Sequence, residues 1–391
     1  MLLHKLPSGD PVHRYLKSIV VLFGGKRRVL STCPLNGGYR EDLKAVFNND
    51  GYSGKGFVFE MRAPTYEGHM ALVAAEIGLD PGSCTGTTTA ASMENVSIRS
   101  ESYRDITVTA IVTAGIDINA GRVGDPAYWY EENGKSVSTK PGTINIILDI
   151  NVDLTQGALA RAMVTCTEAK AAALQELLVP SRYSMGIATG SGTDDTIIVC
   201  DAQSDICLSN AGKHSKLGEL IGKAVKAAVK EALYRQTGMS PERQHHIFRR
   251  MDRFGITEQS LWDLFDGKEL GMSRTEFSEK MQEFGSEDAI VTLTSLYAHL
   301  LDQLIWGMLS PAEAVNAGKV LLDMMKLRQQ QQPQQEITQE DIPDYRDTAQ
   351  DGKEAAEPYR DIPEDRDAAL EQMIAMYAQN ILEKIGVYQK V

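Results

Sequence analysis

Residues 142–153 read Gly-Thr-Ile-Asn-Ile-Ile-Leu-Asp-Ile-Asn-Val-Asp, and residues 186–195 read Gly-Ile-Ala-Thr-Gly-Ser-Gly-Thr-Asp-Asp. In the first stretch Ile144, Ile146, Leu148 and Ile150 alternate with Thr143, Asn145, Ile147 and Asp149. Successive side chains of a strand point to opposite faces, so one face here is wholly aliphatic. The other carries a hydroxyl, an amide and a carboxylate. It reads either as the polar wall of a pocket or as the wet side of a half-exposed strand. Between the two stretches an Ala- and Leu-rich run predicts a helix from about Thr155 to Leu178. Arg161, Thr165 and Glu168 share one of its faces. The second stretch predicts a Gly-Ser-Gly turn leading into a strand at Thr196–Cys200.

Working outward, Ser18–Phe23 and Arg27–Cys33 read as two strands of a hairpin turning at Gly24-Gly25. Residues 1–16 show no clear pattern. Asn36-Gly37-Gly38 reads as a loop, because that trio tolerates positive φ. Tyr66–Gly78 has helical spacing, Cys84–Asn95 is a hydroxyl-rich stretch, and Thr107–Gly115 alternates like a strand. A helix from about Lys213 to Gln236 carries the stripe Leu217, Leu220, Ile221, Ala224 and Ala228. Strands and helices mix without strict alternation, so the expected fold class is α+β, a mixed sheet flanked by helices. The expected divisions are 1–238 for this part, 239–328 for a small all-helical domain, 329–368 for an acidic low-complexity linker and 369–391 for an amphipathic helix.

In the helical part, Ser240-Pro-Glu, Ser273-Arg-Thr-Glu276 and Ser310-Pro-Ala-Glu313 look like helix starts, the latter two with capping-box spacing. Residues 341–349, Asp-Ile-Pro-Asp-Tyr-Arg-Asp-Thr-Ala, recur as Asp-Ile-Pro-Glu-Asp-Arg-Asp-Ala-Ala at 361–369. Between Pro333 and Leu370 there are 12 acidic and 4 basic residues, which hold much of the net charge of −13. Such composition favours disorder. The last segment places Leu370, Met373, Ile374, Tyr377, Ile381, Leu382 and Ile385 on one face, to dock on the helical domain or on a partner.

The acidic balance argues against nucleic acid as a partner. No apolar run is long enough for a membrane span or a signal peptide. Five cysteines without a CxxC pair point to reduced thiols in a cytoplasmic protein. The seven histidines form no ligand spacing, no phosphate loop occurs, and no metal site is expected. Nucleophile candidates are Thr143, the Thr85–Ser92 cluster, Ser191, Thr193 and a cysteine, although Cys166 and Cys200 read as core thiols. His214, opening a helix, suits a neutral base as well as it suits a plain surface residue. Asp194 and Asp195 either act in the site or tie down the turn. Glu168 either faces the site or pairs with Arg161.

Seven segments resemble the adenosylcobinamide amidohydrolase family. They are Gly142–Asp149, Thr165–Leu177 (TCTEAKAAALQEL), Gly186–Asp194 (GIATGSGTD), Asn210–Leu220 (NAGKHSKLGEL), and, earlier, LSTCPLNGG (30–38), TAASMENVSI (89–98) and GRVGDPA (121–127). The likeness spans roughly Ser18 to Arg235 and leaves out the rest. It implies hydrolysis of the amide joining aminopropanol to the corrin ring of adenosylcobinamide, giving adenosylcobyric acid in corrinoid salvage for coenzyme B12. The corrinoid is then substrate, and no cofactor is expected. A DxHxxG cobalt-ligand sequence is absent, in keeping with this. A non-catalytic corrinoid-binding or carrier protein is the alternative.

The Thr/Asn/Gly-rich stretches would hold the corrinoid's rim of amides. Asn36, Gly37, Gly38, Thr88, Thr89, Asn95, Thr189, Ser191, Thr193 and, further on, Lys213 are the expected contacts. The order Gly-Thr, aliphatic strand, acid, long helix and Gly-rich turn ending in Asp is also similar to the self-processing aminopeptidase and ornithine acetyltransferase class. That likeness implies Thr143 as nucleophile, freed by cleavage at Gly142–Thr143, with Asn145 orienting the intermediate and backbone N–H groups of the Gly-rich loops as oxyanion donors. In an intact chain His214 or Glu168 would be the base, or a base-activated water would do the work, with Asp194 nearby. The C-terminal extension would serve a second copy or a protein partner.

Overall fold

The computed structural model describes residues 1–51, 61–127, 142–264, 272–328 and 363–385. They fall into two compact units, Met1–Gln244 and His245–Val391. In chain order the first unit begins β1 (Leu2–Lys5), β2 (Pro11–Tyr15), β3 (Ser18–Leu22), β4 (Arg27–Ser31), β5 (Gly38–Arg40) and β6 (Ala45–Asp50). Helix α1 (Tyr66–Glu76) follows, then β7 (Cys84–Thr89), β8 (Ser97–Tyr103), β9 (Ile106–Gly115) and β10 (Ala120–Gly121). Next come β11 (Thr143–Ile150), β12 (Asp153–Leu154), α2 (Gln156–Glu176), β13 (Gly190–Ser191), β14 (Asp195–Asp201), β15 (Cys207–Leu208) and α3 (Lys216–Thr237).

These strands build two mixed sheets, ordered β1-β2-β3-β6-β7 and β5-β4-β14-β11-β9-β8. The parallel pairs β6/β7 and β11/β14 are the ones joined through a helix, α1 and α2 respectively. Alternation decides the layering. Val12, Ile19, Val21 and Val46 of one sheet meet Val29, Ile111, Ile147, Ile197 and Val199 of the other. Val20, Ala45, Phe47 and Cys84 turn outward onto α1. Ile144, Ile146, Leu148 and Ile150 turn onto α2 and α3. The unit is thus four layers, helix, sheet, sheet and helices.

The mixed α+β class holds. Helices α1, α2 and α3 lie where their patterns place them, with Thr65, Thr155 and Ser215 as side-chain N-caps and left-handed Gly238 closing α3. Three local readings change. The pattern at 1–16 hides a hairpin, β1/β2. β3 and β4 are not a hairpin but lie in different sheets, because Asp10 draws the Gly24 N–H (2.8 Å) and the Arg27 guanidinium across the gap. The hydroxyl-rich stretch at 84–89 is a buried strand, with Gly86 packed where a Cβ would lie 2.3 Å from the Phe47 ring.

Residues 239–244 belong to the first unit rather than to the helical region. Met239 packs on its core and the Gln244 amide donates to the Leu177 carbonyl at 2.5 Å. Ser240-Pro-Glu opens a single turn, closed by the Gln244 N–H on the Ser240 carbonyl, and not a helix.

The second unit contains α4 (Ile247–Met251), α5 (Glu258–Leu264), α6 (Arg274–Gly285), α7 (Asp288–Ile305), α8 (Pro311–Arg328) and α9 (Arg366–Lys384). Ser273 and Glu276 form a reciprocal capping box, and Ser310 and Glu313 exchange the same pair of bonds. The terminal helix takes the intramolecular option. Met373, Tyr377 and Ile381 enter the core of this unit, Tyr297 donates to the Met373 carbonyl (2.8 Å) and Thr294 meets the Tyr377 hydroxyl (2.8 Å). Most of the expected acidic linker, residues 329–362, lies outside the described residues. No helix among the described residues is long and apolar enough to cross a membrane.

Candidate functional site

Neither sequence reading of β11 anticipates where its polar face goes. Every residue of the strand is buried. Thr143, Asn145, Ile147 and Asp149 face the opposite sheet, where Ile147 joins the apolar middle layer. Above and below it the space between the sheets is polar: a carboxylate and guanidinium layer at Asp149, and a hydroxyl and amide layer at Thr143 and Asn145. The strip is therefore sealed under a second sheet rather than open to solvent, with Thr143 3% and Asn145 1% exposed.

At the Thr143 end the C-terminal ends of β6, β7 and β9 meet the N-terminal ends of β11 and β14. The Asn145 amide donates to Asn48 Oδ1 (3.0 Å) and to the Thr88 carbonyl (2.9 Å). Asn48 donates to Thr113 Oγ1 (2.7 Å) and accepts from Thr87 Oγ1 (2.8 Å). Buried polar groups need such partners, and this ladder ties the sheets together through side chains. The Thr143 hydroxyl donates to the Thr193 carbonyl at 2.5 Å, with Asn145 Oδ1 3.4 Å away.

The Gly-Ser-Gly turn is held by Asp194. Its carboxylate accepts from the Ile144 N–H (2.8 Å), the Ser191 N–H (2.9 Å) and the Ser191 hydroxyl (2.7 Å), and pairs with Lys170 Nζ at 2.5 Å. Lys170 lies on the buried stripe of α2 that also carries Cys166 and Ala173. A buried ammonium needs a partner, and Asp194 is that partner. Gly142, just before the strand, has φ +123°, and a Cβ there would lie 2.3 Å from Asn119 Oδ1. Its carbonyl accepts from the Asn119 amide and from Thr193 Oγ1 (2.8 Å), with Ser191 Oγ 3.3 Å away. The two-residue pairing of β10 with β13 sets Asn119 beside this turn.

Partly exposed groups rim the buried cluster: Thr88, Ser191, Thr193, Asp194, Asp195 and Tyr66, with Thr32 exposed. Burial raises the Asp195 carboxyl above its ordinary value, against a hydrogen bond from Thr32 Oγ1 at 2.8 Å and reinforced by the neighbouring Asp194 charge. Burial also raises the Tyr66 hydroxyl and the Cys33 thiol, with Asp195 adding to both. Cys166 and Cys200 are core thiols pushed up to about 12 by burial. Among the described residues no group of three or more His, Cys, Asp or Glu side chains is placed to hold a metal ion.

Of the residues expected from sequence, Thr143, Asn145, Thr88, Ser191, Thr193 and Asp194 come together here. Thr89 ends β7, its hydroxyl accepting from the Ala91 N–H, and Thr189 accepts from the Val123 N–H beyond the turn. Others are held elsewhere. Glu168 pairs with Lys213 (3.1 Å) on the outer surface, not with Arg161, and His214 is exposed just before the Ser215 cap. These three belong to the helix layer, behind the sheet whose opposite face carries Thr143. Asn36 donates to the Pro81 and Cys84 carbonyls (both 2.7 Å), Gly37 packs under the Cys33 carbonyl and Gly38 opens β5. Asn95 donates to Gln236 (2.8 Å). Sequence reading missed Asn119, Lys170 and Asn48. A lysine on the Cys166/Ala173 stripe and an asparagine in phase with Val46 were the available signals.

Residues 3–241 match the family model described as adenosylcobinamide amidohydrolase. A protein of Methanocaldococcus jannaschii described as uncharacterized, MJ1613, is 37% identical over 234 residues, covering 56% of this chain and 87% of its own. A Methanosarcina mazei protein named adenosylcobinamide amidohydrolase is 28% identical over 227 residues, covering 56% of this chain and 96% of its own. The crystal structure of the PH0078 protein from Pyrococcus horikoshii OT3 aligns at a TM-score of 0.29 with 14% identity, covering 60% of this chain and 82% of that one.

Proposed function

Because this chain belongs to the adenosylcobinamide amidohydrolase family, we propose that it hydrolyses the amide between aminopropanol and a corrin-ring propionate of adenosylcobinamide, releasing adenosylcobyric acid for corrinoid salvage. The corrinoid is the substrate in this reading, and the chemistry asks for no cofactor. The observation that carries the choice of active centre is the Gly142–Thr143 peptide. A hydroxyl, a backbone carbonyl held by two side-chain donors and a carboxylate-pinned turn converge there, in a cluster rimmed by partly exposed polar groups. Those rim groups, Thr32, Thr88, Ser191, Thr193 and Asp195, suit a ligand edged with amides.

In the proposed mechanism Thr143 Oγ attacks the Gly142 carbonyl carbon. The C–N bond breaks as the nitrogen takes up the hydroxyl proton, leaving an ester that water hydrolyses to a Gly142 carboxylate and a free Thr143 amine. That amine then serves as the base for Thr143 Oγ, in place of the distant His214 and Glu168. The hydroxyl oxygen attacks the propionamide carbon, aminopropanol leaves with the proton, and water cleaves the Thr143 ester to the corrinoid acid. The test is incubation of the purified full chain with adenosylcobinamide, following free aminopropanol, with intact-mass measurement for a break after Gly142. Thr143→Ala is expected to stay unbroken and to release no aminopropanol. Full turnover by that variant refutes the mechanism, and no turnover by the unaltered chain refutes the activity.

A further inference from the structure

We infer that Asn119, together with Thr193, is the oxyanion-binding pair of this site, and that the Gly142 carbonyl occupies the seat the substrate's scissile carbonyl takes. The inference rests on the reading above and adds a residue and a place to it. Oxyanion donors in acyl transfer are commonly backbone N–H groups, and the Gly-rich turn suggests them. Here three such groups beside Thr143 are already engaged: the N–H groups of Ile144 and Ser191 donate to Asp194, and the Thr193 N–H points to Ser191 Oγ at 3.3 Å. The Ser191 hydroxyl has one proton and three acceptors in reach, the Asp194 carboxylate at 2.7 Å and, both at 3.3 Å, the Gly142 carbonyl and Thr193 Oγ1; the nearer, charged acceptor takes it. The Asn119 amide and Thr193 Oγ1, by contrast, are both aimed at the Gly142 carbonyl oxygen.

Asn119 is also left half used. It is 3% exposed, and its Oδ1 has no hydrogen-bond partner among the described residues. An unpaired buried acceptor is costly unless something arrives to fill it. Breaking the Gly142–Thr143 bond frees the Thr143 nitrogen, until then bonded to the carbonyl carbon that Asn119 holds, as an amine whose N–H groups are donors for Oδ1. The same break lets the Gly142 carboxylate leave, so the pair faces an empty seat next to Thr143 Oγ. The glycine is required for the approach, since a Cβ would strike Asn119 Oδ1 at 2.3 Å and the Gly115 carbonyl at 2.8 Å.

The experiment uses the full chain carrying Asn119→Ala, with adenosylcobinamide as the probe. Loss of one oxyanion donor lowers kcat by about 100-fold or more, and KM is expected to stay within about threefold, since the donor acts on the developing charge. Appearance of the break after Gly142, followed by intact mass from the moment of synthesis, is expected to slow by a similar factor. Asn119→Asp, which keeps the side chain's size and replaces the donor by an acceptor, is the second variant if the alanine chain does not fold. Asn119 variants that break and turn over like the unaltered chain overturn the assignment while leaving the amidohydrolase reading intact. A variant that changes KM alone overturns it as well. If the unaltered chain breaks after Gly142 but releases no aminopropanol, the substrate reading fails and the donor role is judged by the rate of the break alone. If it does neither, both fall.

Discussion

Replacing Asp149 by Asn should flatten the pH dependence of stability of the first unit. Asp149 is 2% exposed, faces the gap between the sheets, and has one carboxylate oxygen, Oδ2, without a hydrogen-bond partner among the described residues. The charged groups acting on it are Asp10 before β2, Arg27 on β4 and Asp201 on β14. Arg27 already holds Asp10 (2.7 and 2.9 Å) and Asp201 (2.7 Å), so it has little left to offer a third carboxylate. Burial first, then the Asp10 charge, push the Asp149 carboxyl up to about 7. In the unfolded chain it loses its proton near 3.8. Between those values the folded form binds the extra proton, so stability falls as pH rises through that window, and the loss is complete above about 8. Three pH units at about 1.4 kcal/mol each give about 4 kcal/mol, or roughly 10 °C in Tm for a domain of this size. The assay is thermal unfolding of the full chain and of Asp149→Asn from pH 4 to 9, reading the difference between them so that all other titrating groups cancel. The asparagine chain should gain on the unaltered one as pH rises. A difference that stays constant over that range refutes the reasoning.

Other consequences can be checked with similar means. Lys170→Met leaves the Asp194 carboxylate buried without its ion pair, and is expected to cost about 3 kcal/mol in urea unfolding and to lower aminopropanol release. Gly86→Ala forces a methyl against the Phe47 ring and should cost about 1–3 kcal/mol by the same measurement, with Phe47→Leu restoring part of it. Glu168→Gln and His214→Ala, both on the outer surface, are expected to keep kcat within about twofold and to change stability by less than about 0.5 kcal/mol; a collapse of kcat in either would bring the helix layer back into the mechanism. Tyr377→Phe removes the hydroxyl that meets Thr294 and should destabilise the helical unit by about 1 kcal/mol in thermal melts.

What could be read from sequence divides along physical lines. α2 and α3 were legible because long Ala- and Leu-rich stripes and, for α3, a terminal glycine point the same way. The central strand was legible as a strand, but its partners were not. Alternation says which residues share a face and is silent on whether that face meets water or a second sheet. β7 was passed over because Cys-Thr-Gly-Thr-Thr-Thr lacks the bulk of a usual core strand; its hydroxyls are satisfied by Asn48, Ser31 and the Leu35 carbonyl, all distant in sequence. β3 and β4 were misread as a hairpin because a Gly-Gly pair marks a turn whether or not the flanking strands pair. In the site, Thr143, Asn145 and Asp194 were visible because they lie on or beside one patterned strand. Asn119 and Lys170 were not, since their roles are fixed by the β10/β13 pairing and by the inward face of α2.

The seating of α9 among α7 and α8 carries a practical meaning for anyone handling this protein. A chain stopped at Arg328 would strand the Tyr297 hydroxyl and lay open the hydrophobic faces that Met373, Tyr377 and Ile381 now cover. Such a truncation is expected to aggregate rather than to yield a tidy shorter unit. A proteolytic nick between Arg328 and Asp365, by contrast, would leave the severed helix clasped in place, visible on a denaturing gel and invisible to gel filtration.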